Sequence, residues 1–301
     1  MGYRIRLLTT QDCDAIQRYL DKDPLYNVYS IHGLQTLGLD SQRAKFWGAF
    51  QRDRLVGVLF TDVMFPGKHS PRWGCLAGDD PKVLARLGRF SLKDRVKIIR
   101  GKSTSVQPAV DALASRVKRL YLTHWNFYKA ARPVEVPVCN DYPVRVATRE
   151  DIPALVELYK DFEYGSRDLR HIEFEIQNAV DRSTCFFIEL EGRVVSASMI
   201  VAETDRAGMM NYARTLPEFR KRGLHLCIRV TCYKYLFGQG KIALGAFSDS
   251  NTAMHRIISK NGSIIGKWVT AAVSRKPPLR RRLLPKGIRR LGLSLKNEIF
   301  R

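Results

Sequence analysis

The sequence predicts an α+β protein built as two copies of one unit. Three observations predict it. The chain repeats at a fixed offset: Arg6, Thr9, Asp12 and Ala15 recur 139 positions later as Arg145, Thr148, Asp151 and Ala154. Arg54-Leu55-Val56 recurs at the same offset as Arg193-Val194-Val195. Such an offset, held over about 50 residues, marks an internal duplication. Each copy also opens alike, with a short strand, a helix, a second helix and then a two-strand hairpin. Finally, 301 residues with 45% hydrophobic and 27% charged side chains are ordinary globular material, enough for about two domains at roughly 150 residues each.

The elements follow in order. Ile5–Thr9 reads as a strand leading into a helix near Asp12, with Thr or Asp at its N-cap. A hairpin joins Phe46–Phe50 to Leu55–Phe60 through Gln51-Arg52-Asp53. The second copy repeats this with Val144–Thr148, a helix start at Asp151, and a hairpin of Cys185–Leu190 and Val194–Val201 turning at Glu191-Gly192. It continues as a strand over Met209–Thr215, a basic loop, a helix over Leu224–Phe237, a strand over Ile242–Phe247, a helix from Asn251 to Lys260, and a last strand over Ser263–Val273. The expected organisation is therefore a first domain over 1–130, a proline-bearing linker over 131–142, a second domain over 143–273, and a basic tail over 274–301.

Composition narrows the partners. Fifty-one basic against 29 acidic residues leave a net charge of +22, a field that draws nucleotide cofactors, nucleic acid or an acidic membrane face. No apolar run reaches the ~20 residues of a membrane span, and the first residues lack a signal-peptide core. The expected location is the cytoplasm, with peripheral attachment to an inner membrane face left open. The six cysteines form no CxxC pair and have no histidine at zinc-like spacing, so free thiols and no metal are expected.

The loop between Thr215 and the following helix carries the chemistry. A strand ends, Leu216-Pro217-Glu218-Phe219 turns, and Arg220-Lys221-Arg222-Gly223 precedes a helix beginning at Leu224. The first N–H groups of a helix lack intrahelical acceptors, and the helix dipole makes that end positive. Glycine admits close approach by a ligand, and three cations add attraction. Such an end suits a diphosphate.

On these residues, 144–273 resemble a GNAT N-acyltransferase domain, whose cofactor loop reads Arg/Gln-x-x-Gly-x-Gly/Ala after Pro-Glu-aromatic. Here that stretch is Pro217-Glu218-Phe219-Arg220-Lys221-Arg222-Gly223-Leu224-His225. His225 stands where the pattern has Gly or Ala, Ser263 follows Gly262 where it has Phe, and Ile258 stands where it often has a Tyr that protonates the departing thiolate. Residues 1–130 resemble the degenerate half of tandem GNAT proteins, and their corresponding stretch, Gly78-Asp79-Asp80-Pro81, is acidic. The resemblance implies two GNAT-like domains, each a mixed, mostly antiparallel sheet flanked by helices. It implies acetyl-CoA or another acyl-CoA as co-substrate, held in the second copy by Thr215, Leu216, Arg220, Lys221, Arg222, Gly223, Leu224, His225 and Asn251. A backbone N–H near Thr215 or Leu216 would polarise the thioester carbonyl. Glu189, Tyr212 and His255 are the candidates for proton transfer, with Asn211, Ser248 and Asp249 nearby.

Residues 274–301 hold ten basic residues and one acidic one, with Ile288, Leu291, Leu295 and Ile299 on one helical face. This suits an anionic membrane surface, a nucleic acid or the protein's own body. The leading functional expectation is an acyl-CoA-dependent N-acyltransferase acting on a small-molecule or peptide amine. The alternatives are an aminoacyl-tRNA-dependent transferase and a non-catalytic tandem module that binds membrane or nucleic acid.

Overall fold

In the computed structural model, residues 2–130, 142–161 and 168–275 are described. The expected linker apart from Tyr142, and the tail beyond Arg275, lie outside the described residues. The first copy comprises β1 (Arg4–Leu7), α1 (Cys13–Leu20), α2 (Val28–Leu37), β2 (Lys45–Gln51), β3 (Arg54–Val63), β4 (Arg72–Ala77), α3 (Pro81–Ser91), β5 (Val96–Lys102), α4 (Ser103–Ala114) and β6 (Val117–Ala130). The second comprises β7 (Arg145–Val146), α5 (Ile152–Tyr159), α6 (Leu169–Asp181), β8 (Cys185–Leu190), β9 (Arg193–Glu203), β10 (Ala207–Thr215), α7 (Leu224–Gly238), β11 (Ile242–Phe247), α8 (Thr252–Asn261) and β12 (Gly262–Arg275).

The duplication is visible in local chemistry. In the first copy, Asp12 accepts the Thr9 backbone N–H at 2.9 Å and pairs with Arg6 at 2.7 Å. In the second, Asp151 accepts the Thr148 N–H at 2.9 Å and lies 3.4 Å from Arg145. Each acid satisfies a backbone donor at a helix entrance and fixes the strand before it. The pairing with Arg6 lowers the Asp12 pKa to about 2.

The two copies share one twelve-stranded sheet, ordered β1-β2-β3-β4-β5-β12-β6-β11-β10-β9-β8-β7. Exchanging β1 to β6 with β7 to β12 reverses this order onto itself, as an approximate twofold axis requires. Adjacent strands are antiparallel except β4 with β5 and β10 with β11. The last strands are exchanged: β12 of the second copy borders β5 of the first, and β6 of the first borders β11 of the second. β6 and β12 then pair with each other from Ala130–Gly262 to Val117–Arg275. Each copy thereby covers the strand edge that the other would leave open. The expectation of two domains in a row gave no sign of this exchange.

One apolar core runs through both copies and includes Tyr29, Phe46 and Phe60 from the first and Tyr159, Phe187 and Tyr233 from the second. A second core lies under α3 and α4, around Leu84, Leu87 and Val106. Cys13, Cys75, Cys185 and Cys232 are free thiols. Cys227 is disulfide-bonded, which departs from the expectation of free thiols throughout.

Two histidines join the copies. His32 on α2 meets the Glu203 carbonyl at 2.9 Å, and His171 on α6 meets the Met64 carbonyl at 2.7 Å. Both the histidines and their acceptors are related by the 139-residue offset, so each copy clasps the other through the same contact.

Candidate active site

The parallel strands β10 and β11 pair only from Ala207–Ile242 to Met209–Leu244. Beyond that point β10 stays with β9, and β11 stays with β6. The sheet therefore opens in a wedge. On β10 the register slips between Asn211 and Arg214, and Tyr212 has a φ of 54°. A bulky residue in this left-handed region costs on the order of 1–3 kcal/mol, so its surroundings must hold it there. They do: the Tyr212 N–H donates to Asn211 Oδ1 at 2.8 Å, and its carbonyl accepts from the Tyr159 hydroxyl.

Downstream of the wedge, Lys221 (φ 65°) and Gly223 (φ 81°) both take left-handed backbone conformations. Gly223 is the N-cap of α7, and no side chain caps that end. A Cβ at Gly223 would meet nothing within 4 Å; its glycine is required by φ and by access, not by crowding. Arg220 Nε donates to the Thr215 carbonyl at 3.2 Å, and the Arg222 guanidinium lies 5.0 Å over the Phe219 ring. The equivalent end in the first copy is closed. There Asp80 accepts the Lys82 N–H at 2.8 Å and the Tyr3 hydroxyl at 2.7 Å, placing a carboxylate at the start of α3. One helix end is thus free for an anion, and the other already holds one.

A cavity of about 280 Å³ lies where the copies meet, lined by α2, α6 and strands of both copies. Its walls carry Trp73, Arg100, Asn178, Arg182 and Tyr212. Four buried atoms there lack a hydrogen-bond partner: Trp73 Nε1, Arg100 Nε, Asn178 Nδ2 and Arg182 Nε. Each unsatisfied buried donor costs about 1–3 kcal/mol. Their clustering at a single cavity points to a site built for a ligand. Tyr212 joins this cavity to the wedge, and its hydroxyl lies 3.4 Å from His171 Nε2. Burial, followed by the nearby Glu175, raises the Tyr212 pKa well above the usual phenol range, so the hydroxyl keeps its proton.

No protein-family model matches this sequence, and no curated protein matches it. Solved structures do match in shape. A Drosophila protein superposes with a TM-score of 0.62 at 11% identity, covering 90% of this chain and 99% of that one. A GCN5-related N-acetyltransferase from Sphaerobacter thermophilus gives 0.58 at 14% identity, covering 91% and 96%. A tandem GNAT protein from the clavulanic acid biosynthesis pathway gives 0.53 at 11% identity, covering 92% and 100%. The chain has the tandem GNAT fold.

Within this tandem GNAT fold, the expected site residues fall into several groups. Thr215, Leu216 and Arg220 to His225 form one continuous turn from β10 into α7. The Leu216 N–H is already bonded to the Val195 carbonyl at 2.9 Å, so it is not available to polarise a thioester. The irregular backbone lies upstream, at Asn211–Arg214. The His225 ring turns into the protein and accepts from Arg229 at 2.9 Å. Burial and the Arg229 charge push its pKa down to about 3, so the ring is neutral and engaged, and only its backbone N–H belongs to the helix end. Asn251 uses its side chain to cap α8, accepting the Met254 N–H at 3.1 Å. Ile258 is core, packed with Tyr128, Phe247 and Met254.

The proton-transfer candidates are not gathered in one place. Tyr212 lines the cavity. Glu189 sits on β8 near the sheet's far edge and pairs with Arg145 at 2.7 Å. His255 lies on α8, 3.2 Å from the Asp249 carbonyl, with its ring edge-on to Phe247. Asp249 pairs with Lys267 at 2.8 Å. Trp73, Arg100, Glu175 and Arg182 had no place in the sequence reading. The repeat held a signal for one of them, because Arg182 lies 139 positions after Arg43. Among the described residues there is no cluster of metal-ligand side chains and no helix long and apolar enough to cross a membrane.

Proposed function

We propose that the protein is an acyl-CoA-dependent N-acyltransferase whose donor binds only on the second copy, with the acceptor in the cavity between the copies. The observation that carries this reading is the contrast between the helix ends, α7 uncapped behind Gly223 and α3 closed by Asp80. The basic loop and the N–H groups at the start of α7 would take the diphosphate. The wedge between β10 and β11 would take the extended arm, with strand groups freed by the splay available to it. Acyl-CoA supplies a thioester as the acyl source. The likeness to a GCN5-related N-acetyltransferase and to a tandem GNAT protein supports this chemistry.

The protein's part is mainly to position two substrates. An ammonium acceptor must lose one proton before its nitrogen forms the new C–N bond. The C–S bond breaks, the nitrogen sheds its second proton, and the departing thiolate takes one up, so one proton is released overall. Tyr212, protonated and lining the cavity, is placed to donate a hydrogen bond during that exchange. Under this reading the first copy does no chemistry and instead supplies one wall of the acceptor cavity.

Calorimetric titration of acetyl-CoA and a long-chain acyl-CoA into the full chain tests the reading. Saturable micromolar binding of either is the expected result. A folded protein that binds neither overturns it.

A further inference from the structure

We propose that the cavity between the copies binds the carboxylate of an amino-acid-sized molecule, which makes the acceptor a free amino acid. The word acceptor rests on the acyltransferase reading, but the binding does not.

The polarity of the cavity points one way. All four of its unsatisfied buried atoms are donors, and a complementary ligand must bring acceptors. The orientation of Asn178 is fixed, because its Oδ1 already accepts from Arg43 Nη1 at 3.0 Å, which leaves the Nδ2 donor free. Trp73 is 6% exposed, and its only polar atom is the unsatisfied Nε1. A carboxylate offers two oxygens and about four lone-pair directions, more acceptor capacity than any other group of its size.

The charges agree. Arg43 is occupied by Asp62 at 2.9 Å. Arg100 and Arg182, by contrast, take part in no ion pair among the described residues. Arg100 lies over the Trp73 ring at 4.5 Å and over Tyr29 at 5.2 Å, which holds its guanidinium plane in place. Arg182 uses Nη2 on the Ile200 and Val201 carbonyls, which leaves Nε in the wall. Asp181 pairs with Arg149 at 2.9 Å. The remaining acid of the wall is Glu175, 4.0 Å from His171. Glu175 acts on both guanidinium groups without closing an ion pair with either, so two cations against one carboxylate leave this part of the wall net positive, which a zwitterion answers with its carboxylate toward Arg100 and Arg182 and its ammonium toward Glu175. A simple amine would leave both cations and all four donors unanswered. An amino sugar would answer some donors but neither charge. The volume of about 280 Å³ admits a single amino acid.

The test is calorimetric titration of each of the twenty common amino acids into the full-length protein with no acyl-CoA present. Any binder is then compared with its primary amide and its decarboxylated amine. At least one amino acid binds saturably at or below millimolar concentration, and its amide and amine bind at least tenfold more weakly. Trp73→Phe removes one N–H while keeping a stacking ring, and weakens binding about three- to tenfold. Arg100→Met weakens it tenfold or more. Circular dichroism and thermal melts confirm that each variant is folded. The proposal is overturned if folded wild-type protein binds none of the twenty, if amide and amine bind as well as the acid, or if folded Trp73→Phe binds as wild type. Because no acyl-CoA is present, amino-acid binding by a protein that fails to bind acyl-CoA would sustain this inference and remove the acyltransferase reading.

Discussion

Replacing Gly223 with Asp would recreate in the second copy the closed helix end that Asp80 makes in the first. The position is favourable for a clean experiment, because a Cβ there meets nothing within 4 Å. The cost to folding is the left-handed φ of 81°, about 1 kcal/mol for Asp or Asn, the non-glycine residues that best tolerate it. The cost to binding is larger. A carboxylate at the N-cap would occupy N–H groups that a phosphate needs and repel the anion. At about 5 Å and an effective dielectric between that of a protein surface and water, one charge pair contributes roughly 1–3 kcal/mol. A doubly charged diphosphate, discounted for salt screening, then loses about 2–3 kcal/mol, or roughly 30- to 150-fold in Kd. Gly223→Asn carries the same backbone strain and almost the same shape without the charge, and serves as the control. Titration of acetyl-CoA should show the Asp variant at least tenfold weaker than the Asn variant, with the gap narrowing as salt rises. Equal affinity of both variants, each folded, would refute the assignment of the diphosphate to this loop.

Four further outcomes can be checked. Gly262→Ala places a Cβ 2.3 Å from the Lys129 carbonyl at the start of the β6–β12 ribbon, and should destabilise the protein by about 1–3 kcal/mol in urea melts. Residues 1–141 and 142–301, expressed separately, should each fail to give a cooperative melt and should regain one when refolded together, because each half supplies a strand to the other's sheet. Burial and the Arg182 charge lower the His32 pKa from 6.5 to about 4; the unfolded chain therefore binds the extra proton first, and stability present above pH 6.5 is lost as pH falls toward 4, by on the order of 2–3 kcal/mol, a loss that His32→Gln should flatten in pH-dependent denaturation. Replacing the ten basic residues of 275–301 with Gln should abolish salt-sensitive binding to vesicles containing anionic lipid if the tail engages membranes, at about 1 kcal/mol per charge near the surface.

The duplication was legible because its marks are local. Arg6 with Asp12, and Arg145 with Asp151, satisfy donors within a few residues of themselves, so each set is complete within a short stretch of sequence. The α7 entrance was legible for the same reason: a left-handed Gly223 after basic residues is a property of one turn. The strand exchange was not legible. β6 and β12 each read as an ordinary strand, and the choice of partner depends on which open edge is nearer in space, which no local pattern encodes. The cavity was hidden for a related reason. Trp73 and Arg100 lie in what reads as the inactive copy, and Asn178 and Arg182 lie near the end of an unremarkable helix. Only the shared sheet brings them together. The ring of His225 shows the reverse error, since its place in the motif suggested a phosphate contact that the buried Arg229 forestalls.

The exchange of strands gives a physical reason for the first copy to persist even where, as proposed above, it binds no diphosphate. If the two copies were beads on a string, the first could drift or be lost once Asp80 closed its helix end. Because β12 is held between β5 and β6, the strand that completes the second copy depends on the first. The reciprocal His32 and His171 contacts then tie α2 to the second copy and α6 to the first, and both helices line the cavity. Trp73 on β4 of the first copy and Tyr212 on β10 of the second both line the cavity, so an N–H donor and a phenol reach it from different copies. A single copy could offer only one of them. On this view the first copy survives as half of a binding site, and a substitution such as Trp73→Phe should raise KM for the acceptor while leaving affinity for acyl-CoA unchanged. A matching loss of acyl-CoA affinity would instead show that the two copies cannot be divided into donor and acceptor roles.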